Sequence, residues 1–204
     1  MEVAARSFLV LCLMAIGAAP ALALQDAPEF PPVEGVPVTV SLDFFDVSGV
    51  SQRRLDESIE MNRPLGFDTA TIAGFTANWA YEADDQGCSL TAIEVPVDIL
   101  IRYPRWTEWM RASQDMRAGW ESRMAGMVAH ENGHARIAVM TAVELHDELA
   151  LNGSAADCAT LEADLNGRLE AGIQRLRDRQ GEYDRITGHG TRQADYDRAP
   201  AGPR

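Results

Sequence analysis

Three stretches of the chain alternate apolar and polar residues with a period of two. In the first, Val36, Val38, Val40, Leu42 and Phe44 face one way and Pro37, Thr39, Ser41 and Asp43 the other. In the second, Phe75, Ala77, Trp79 and Tyr81 oppose Thr76, Asn78, Ala80 and Glu82. The third sets Ile93, Val95, Val97, Ile99 and Ile101 against Glu94, Pro96, Asp98 and Arg102. Successive side chains of a strand point to opposite faces, so the pattern predicts strands with one buried and one wet face in a mostly antiparallel sheet. Pro96 has no N–H to give to a ladder, which predicts that the third strand lies at a sheet edge there. Between the first two strands, Ser51 to Met61 predicts a short surface helix.

After Pro104 the period changes. No proline interrupts residues 113–150, and Met116, Trp120, Met124 and Met127 recur at steps of four, four and three, the spacing of one helix face. Continued, that stripe passes through His130, His134 and Ile137, so the two histidines are expected on the core-facing side. Leu151-Asn152-Gly153-Ser154 ends the run. A second helix begins near Ala156 with the stripe Cys158, Leu161, Leu165, Leu169, Ile173 and Leu176, and is expected to end near Tyr183. So short a link implies an antiparallel helical hairpin. The class is α+β: a small antiparallel sheet packed on one long helix, with a second helix folding back along it.

Hydrophobic residues make up 46% of the 204 and charged residues 24%, which is a globular balance. The N-terminus changes the picture. Arg6, the apolar run of residues 7–19 and the small-x-small Ala21-Leu22-Ala23 predict a signal peptide over 1–23. That run is shorter than the roughly 18 residues of a membrane span; the competing reading is an uncleaved anchor. A proline-rich lead-in follows at 24–35, then one domain over 36–195 and a flexible tail at 196–204. The formal net charge of −13 argues against nucleic acid or anionic lipid as partner, since both reward positive charge. Two cysteines remain after the leader, Cys88 and Cys158. In an exported domain an even pair reads as a disulfide, and the alternative is two buried thiols.

The candidate chemistry lies in His130-Glu131-Asn132-Gly133-His134. Residues four apart share a helix face, so both imidazoles can address one zinc ion. Glu131 is turned about 100° from the first ligand. That keeps it off the metal but within reach of a water there, whose proton it can take and pass to a leaving amine. The competing reading is a pair of core histidines satisfied by ordinary hydrogen bonds. Zinc needs a third protein ligand. His146 lies about 18 Å further along the same helix and cannot reach. His189 can: the second helix returns past the motif, and residues 184–189 span up to about 20 Å. Gly188 and Gly190 beside it permit close approach.

These residues carry a resemblance. Trp106, Trp120, the HExGH motif, Cys158 and the run Tyr183-Asp184-x-x-Thr187-Gly188-His189-Gly190-x-x-Gln193 resemble the DUF922 family, predicted secreted zinc-dependent proteases of bacteria. Asp46-Val47-Ser48-Gly49, and Cys88 leading into the strand that ends Tyr103-Pro104-Arg105-Trp106, resemble it too. The resemblance implies a zincin-like domain, bacterial export to the periplasm or beyond, a Cys88–Cys158 bridge and His189 as third ligand. Gln193 matches the family's position after that ligand, where it is expected either to donate to a developing oxyanion, to orient His189, or to be a plain loop residue. The expected function is a zinc-dependent peptidase acting on a peptide or protein, with the cell envelope as a candidate source of that substrate, and no membrane insertion once the leader is removed. An edge strand near the metal would align such a peptide by strand addition. The competing class is a metal-binding envelope protein that turns nothing over.

Overall fold

The strand on which the fold is assembled is Val97–Trp106. In the computed structural model, which describes residues 27–63 and 66–198, Val97, Ile99, Ile101 and Tyr103 along it are almost wholly buried. The expected leader, the first residues of the lead-in and the last six of the tail lie outside the described residues. Strand β1 (Val38–Val47) comes first, followed by helix α1 (Gln52–Asn62), β2 (Ala70–Phe75), β3 (Asn78–Asp84), β4 (Gly87–Glu94) and β5 (Val97–Trp106). A single 3-10 turn leads into α2 (Gln114–Leu151), which is followed by β6 (Ser154–Ala155), α3 (Cys158–Thr187) and α4 (Gln193–Arg198).

The strands form two three-stranded sheets, β1-β5-β2 and β3-β4-β6. The β2–β5, β3–β4 and β4–β6 ladders are antiparallel, and β1–β5 is parallel, pairing Val38 with Val97 through to Val47 with Trp106. The class is α+β, as the alternation predicts. Two of the alternating stretches, however, are each divided between strands of different sheets. The stretch 93–102 breaks at Pro96, where β4 ends and β5 begins, because a residue without an N–H cannot continue a ladder. Proline therefore marks a change of sheet and not an edge. Strand β5 is central, flanked on both sides, and offers no free edge to a peptide. The stretch 75–82 divides between β2 and β3 in the same way.

Helix α1 stands as expected, fixed to the body by Leu55 and Ile59 and by a hydrogen bond from Ser48 N–H to Ser58 Oγ. The last part of the lead-in is packed: Val33 and Val36 bridge a tight turn, Val36 is buried, and the Gly35 carbonyl accepts from Val95 N–H. Ser113 caps α2, its Oγ accepting from Met116 N–H. Trp106, Trp109 and Trp120 pack on one another where the sheet meets the start of that helix, with ring centroids 5.5 and 5.7 Å apart, so they close the core. Further along α2, the fully buried Ala135, Ala138 and Ala142 let α3 approach closely. The two helices run antiparallel, with His134 facing Gln180, Thr141 facing Arg179 and Glu148 facing Arg168.

Cys88 of β4 and Cys158 at the start of α3 form a disulfide with Cα atoms 5.0 Å apart. By the chain-entropy model the loop it closes contributes about 4 kcal/mol of stability. At β4 the chain needs Gly87, where a Cβ would stand 2.3 Å from the Ala155 carbonyl of β6. No helix among the described residues is long and apolar enough to cross a membrane. Helix α3 runs four residues past its expected end at Tyr183 and stops at Gly188, which takes the left-handed conformation that caps helices. Residues 196–198, assigned from sequence to the tail, form the last turn of α4, where Tyr196 packs edge-on against Tyr183.

Candidate metal centre

His130 and His134 stand one turn apart on α2, both buried under α3. The inward stripe of α3 delivers Asp184 to them. Its Oδ1 lies 3.2 Å from His130 Nε2 and 2.9 Å from His134 Nε2, and the two ring nitrogens are 3.2 Å apart. These are the three groups placed to hold a metal ion among the described residues.

Hydrogen bonding fixes what those atoms present to one another. His134 Nδ1 faces Gln180 Oε1, and the amide nitrogen of Gln180 donates to the His134 carbonyl at 3.1 Å, which settles which end of the amide is oxygen. Nδ1 of His134 therefore carries its hydrogen. His130 Nδ1 faces Gln193 Oε1 at 3.3 Å and Thr187 Oγ1 at 3.4 Å. Thr187 gives its one proton to the Tyr183 carbonyl, so it can only accept from His130. In the neutral rings both Nε2 atoms then present lone pairs to each other and to a carboxylate oxygen. A proton there would relieve one of the three contacts, whereas a cation at the centre relieves all three. Donor atoms about 2.0–2.1 Å from tetrahedral zinc lie roughly 3.3 Å from one another, close to the separations found here. Burial, and after it the neighbouring His134, lowers the pKa of His130 from its ordinary 6.5 and keeps the ring neutral, the state that binds metal.

His189 sits on the turn after α3, at the rim of the group, with most of its side chain exposed. Three successive positive φ angles, 59°, 49° and 82° at Gly188, His189 and Gly190, make that turn, which explains its glycines. The His189 Nδ1 is 3.3 Å from Asp184 Oδ1, and its ring is 5.9 Å from that of Phe67. Sequence reasoning brings His189 to the centre; the structure places Asp184 there and His189 at its rim. His146 packs beneath the turn at Gly35, at the other end of α2.

Glu131 is buried beside the histidines, and both its oxygens are held: Thr69 Oγ1 donates to Oε1 at 2.5 Å and Thr71 Oγ1 to Oε2 at 2.6 Å. The carboxylate therefore has one fixed orientation. It lines, together with His130, His134, Asp184 and His189, an open groove of about 760 Å³. Strand β2 runs along that groove, which continues past Phe67, Ile72 and Arg123.

A family model described as "Bacterial protein of unknown function (DUF922)" matches residues 42–190. The chain belongs to the DUF922 family. No curated protein and no solved structure matches it. The DUF922 span contains the His130–His134 motif, Asp184, His189, Cys88 and Cys158, and ends before Gln193. Gln193 is buried, and its hydrogen bonds go to His130, Tyr183 and Asp197.

Four residues of this DUF922 site escaped sequence reasoning as functional groups: Asp184, Gln180, Thr69 and Thr71. The signal for the first two was present. The apolar stripe of α3 turns polar at Gln180, Asp184 and Thr187, at the level where the stripe of α2 turns polar at His130 and His134. Thr69 and Thr71 continue the face of Phe75 and Ala73 back along β2, a polar start to an inward face.

The glycine of the motif has its own reason. Tyr183 stacks on His130, with centroids 5.1 Å apart, and stands edge-on to His134, while a Cβ at position 133 would lie 2.0 Å from the Tyr183 hydroxyl. Gly133→Ala is therefore expected to displace Tyr183 and destabilise the protein by about 1–3 kcal/mol, the usual cost of overpacking. It should weaken metal binding too. Thermal melts and metal titration of the variant check this; a methyl accommodated without either change would mean Tyr183 is not fixed where it stands.

Proposed function

We propose that this protein is an exported zinc-dependent peptidase, with His130, His134 and Asp184 holding the metal, His189 at its open side and Glu131 as the base. The observation that carries the reading is the convergence of two imidazole Nε2 atoms and a carboxylate oxygen, none more than 3.2 Å from another, beside a glutamate anchored by two threonines on an open groove. Neutral imidazoles and a carboxylate suit zinc. Zinc supplies Lewis acidity, lowering the pKa of water and polarising an amide carbonyl.

The residues of the chain do the rest. Thr69 and Thr71 hold the Glu131 carboxylate still, so that one oxygen can take a proton from the attacking water and deliver it to the leaving amine nitrogen. Gln180 holds His134 with its Nε2 lone pair directed at Asp184 and His130. The groove is open to solvent along β2, which suits a peptide or protein as substrate. The acidic charge favours neither nucleic acid nor anionic lipid. The disulfide and the predicted leader support export, since such bonds persist in oxidising compartments.

One observation favours the second class. His189 lies beside Asp184, and if both bound together with the two motif histidines, four protein ligands would fill a tetrahedral site and leave a structural metal centre. The deciding experiment measures the zinc content of purified protein and its hydrolysis of an unfolded protein and of peptidoglycan fragments. Hydrolysis that stops on chelation and returns with zinc is expected. Bound zinc with no hydrolysis of either substrate would transfer the case to the structural reading, and absence of zinc would remove both.

A further inference from the structure

We propose that Gln193 and Asp197 of α4 are positioning residues for the metal centre: Asp197 holds the Gln193 amide, and the amide oxygen holds His130 with its proton on Nδ1. The effect on metal affinity rests on the metal reading above; the effect on the tautomer of His130 does not.

Gln193 is the first residue of α4 and is almost wholly buried. Its Oε1 accepts twice, from Tyr183 OH at 2.9 Å and from His130 Nδ1 at 3.3 Å. Its Nε2 donates to Asp197 Oδ1 at 2.8 Å. An ionised carboxylate only accepts, so a reversed amide would set oxygen against oxygen at Asp197 and direct its hydrogens at a phenol that already has one to give. Tyr183 gives its one hydroxyl proton to that amide oxygen. Thr187, the other neighbour of His130 Nδ1, has already donated to the Tyr183 carbonyl. Every partner of this nitrogen accepts, and the one that can be changed without touching the helix backbone is Gln193.

A short helix that offers no ligand thus fixes where the lone pair of a buried ligand points. Gln193 acts on His130 from the Nδ1 side of the ring, and none of its side-chain hydrogen bonds goes to His189. Docking of α4 and loading of the centre are linked, each favouring the other. The linkage extends the functional unit past residue 190, where the family match ends.

The test uses the full chain in four forms: wild type, Q193L, Q193E and Q193E/D197N. Nitrogen-15 NMR of the imidazole rings in metal-free protein reads the tautomer, competition with a chromophoric chelator reads zinc affinity, and thermal melting reads the fold. Wild type is expected to show His130 protonated at Nδ1. Q193L should lose that signature and bind zinc about 10–100-fold more weakly. Q193E should bind weakly too, because its carboxylate meets that of Asp197. Q193E/D197N should recover affinity, since the introduced amide donates to the introduced carboxylate, a rescue that simple loss of packing would not produce. Unchanged tautomer and affinity in Q193L would overturn the proposal, as would a double variant no better than Q193E. Should wild type bind no zinc, the metal reading fails, and the tautomer of His130 in wild type and Q193L alone decides the role of Gln193.

Discussion

Glu131→Gln is expected to keep the metal and lose the hydrolysis. The amide has nearly the shape of the carboxylate, and both threonine hydroxyls can adapt to it: Thr69 and Thr71 donate to oxygen in the native protein, and either can rotate to accept from the new NH2. The fold and the three metal-holding groups are therefore undisturbed. What disappears is an acceptor for the proton of the attacking water. General-base assistance is worth about 10²–10⁴ in rate, so kcat/KM should fall by that factor with KM little changed. Zinc content should remain that of wild type. Measuring both on one preparation separates the proposals: hydrolysis that survives the substitution would exclude Glu131 as base, and zinc lost together with activity would place its carboxylate on the metal.

The parts of this molecule that were legible in its sequence are those where one local rule decides. Helix α2 begins directly after its cap Ser113 and runs unbroken to Leu151 because no proline interrupts its 3.6-residue period, and the two motif histidines fall on its buried side for the same reason. The sheet was harder to read. A run such as 93–102 keeps its alternation across Pro96, so periodicity alone could not separate one long strand from two short ones in different sheets. Only the partners distinguish them, and pairing is a long-range property: Val97 meets Val38 and Phe75.

The site divides the same way. His130, Glu131 and His134 announce themselves by spacing within five residues. Asp184 is one aspartate among many in an acidic chain. It becomes significant because α3 continues through Thr187 instead of ending at Tyr183, which carries residue 184 along the inward stripe to the level of His134. Gln193 shows the opposite case. Its position was noted, but its partner could not be, because the turn at residues 188–190 reverses the chain and lays α4 against His130.

Asp184→Ala should weaken zinc binding by roughly 10²–10⁴-fold: zinc held by a few protein ligands is worth about 10–16 kcal/mol, so one ligand accounts for some 3–5 kcal/mol. Asp184 is the member of the cluster nearest to both histidines at once, and it supplies the one negative charge among them. Removing it leaves two neutral lone pairs 3.2 Å apart and a dication with no compensating anion in contact. His189→Ala discriminates further, because the ring lies at the exposed rim, on a glycine turn, against Asp184. If His189 is a ligand, as the chain's path and the family resemblance imply, its loss costs zinc on the same scale as that of Asp184. If it serves only from the rim, affinity falls by less than about 10-fold while hydrolysis suffers. Cobalt in place of zinc reads the coordination directly, since the intensity of its visible absorption reports the number of ligands. A change of coordination number on His189→Ala would make four protein ligands the resting state of the centre, and an unchanged spectrum would leave the site with Asp184 as third ligand and a position open to water.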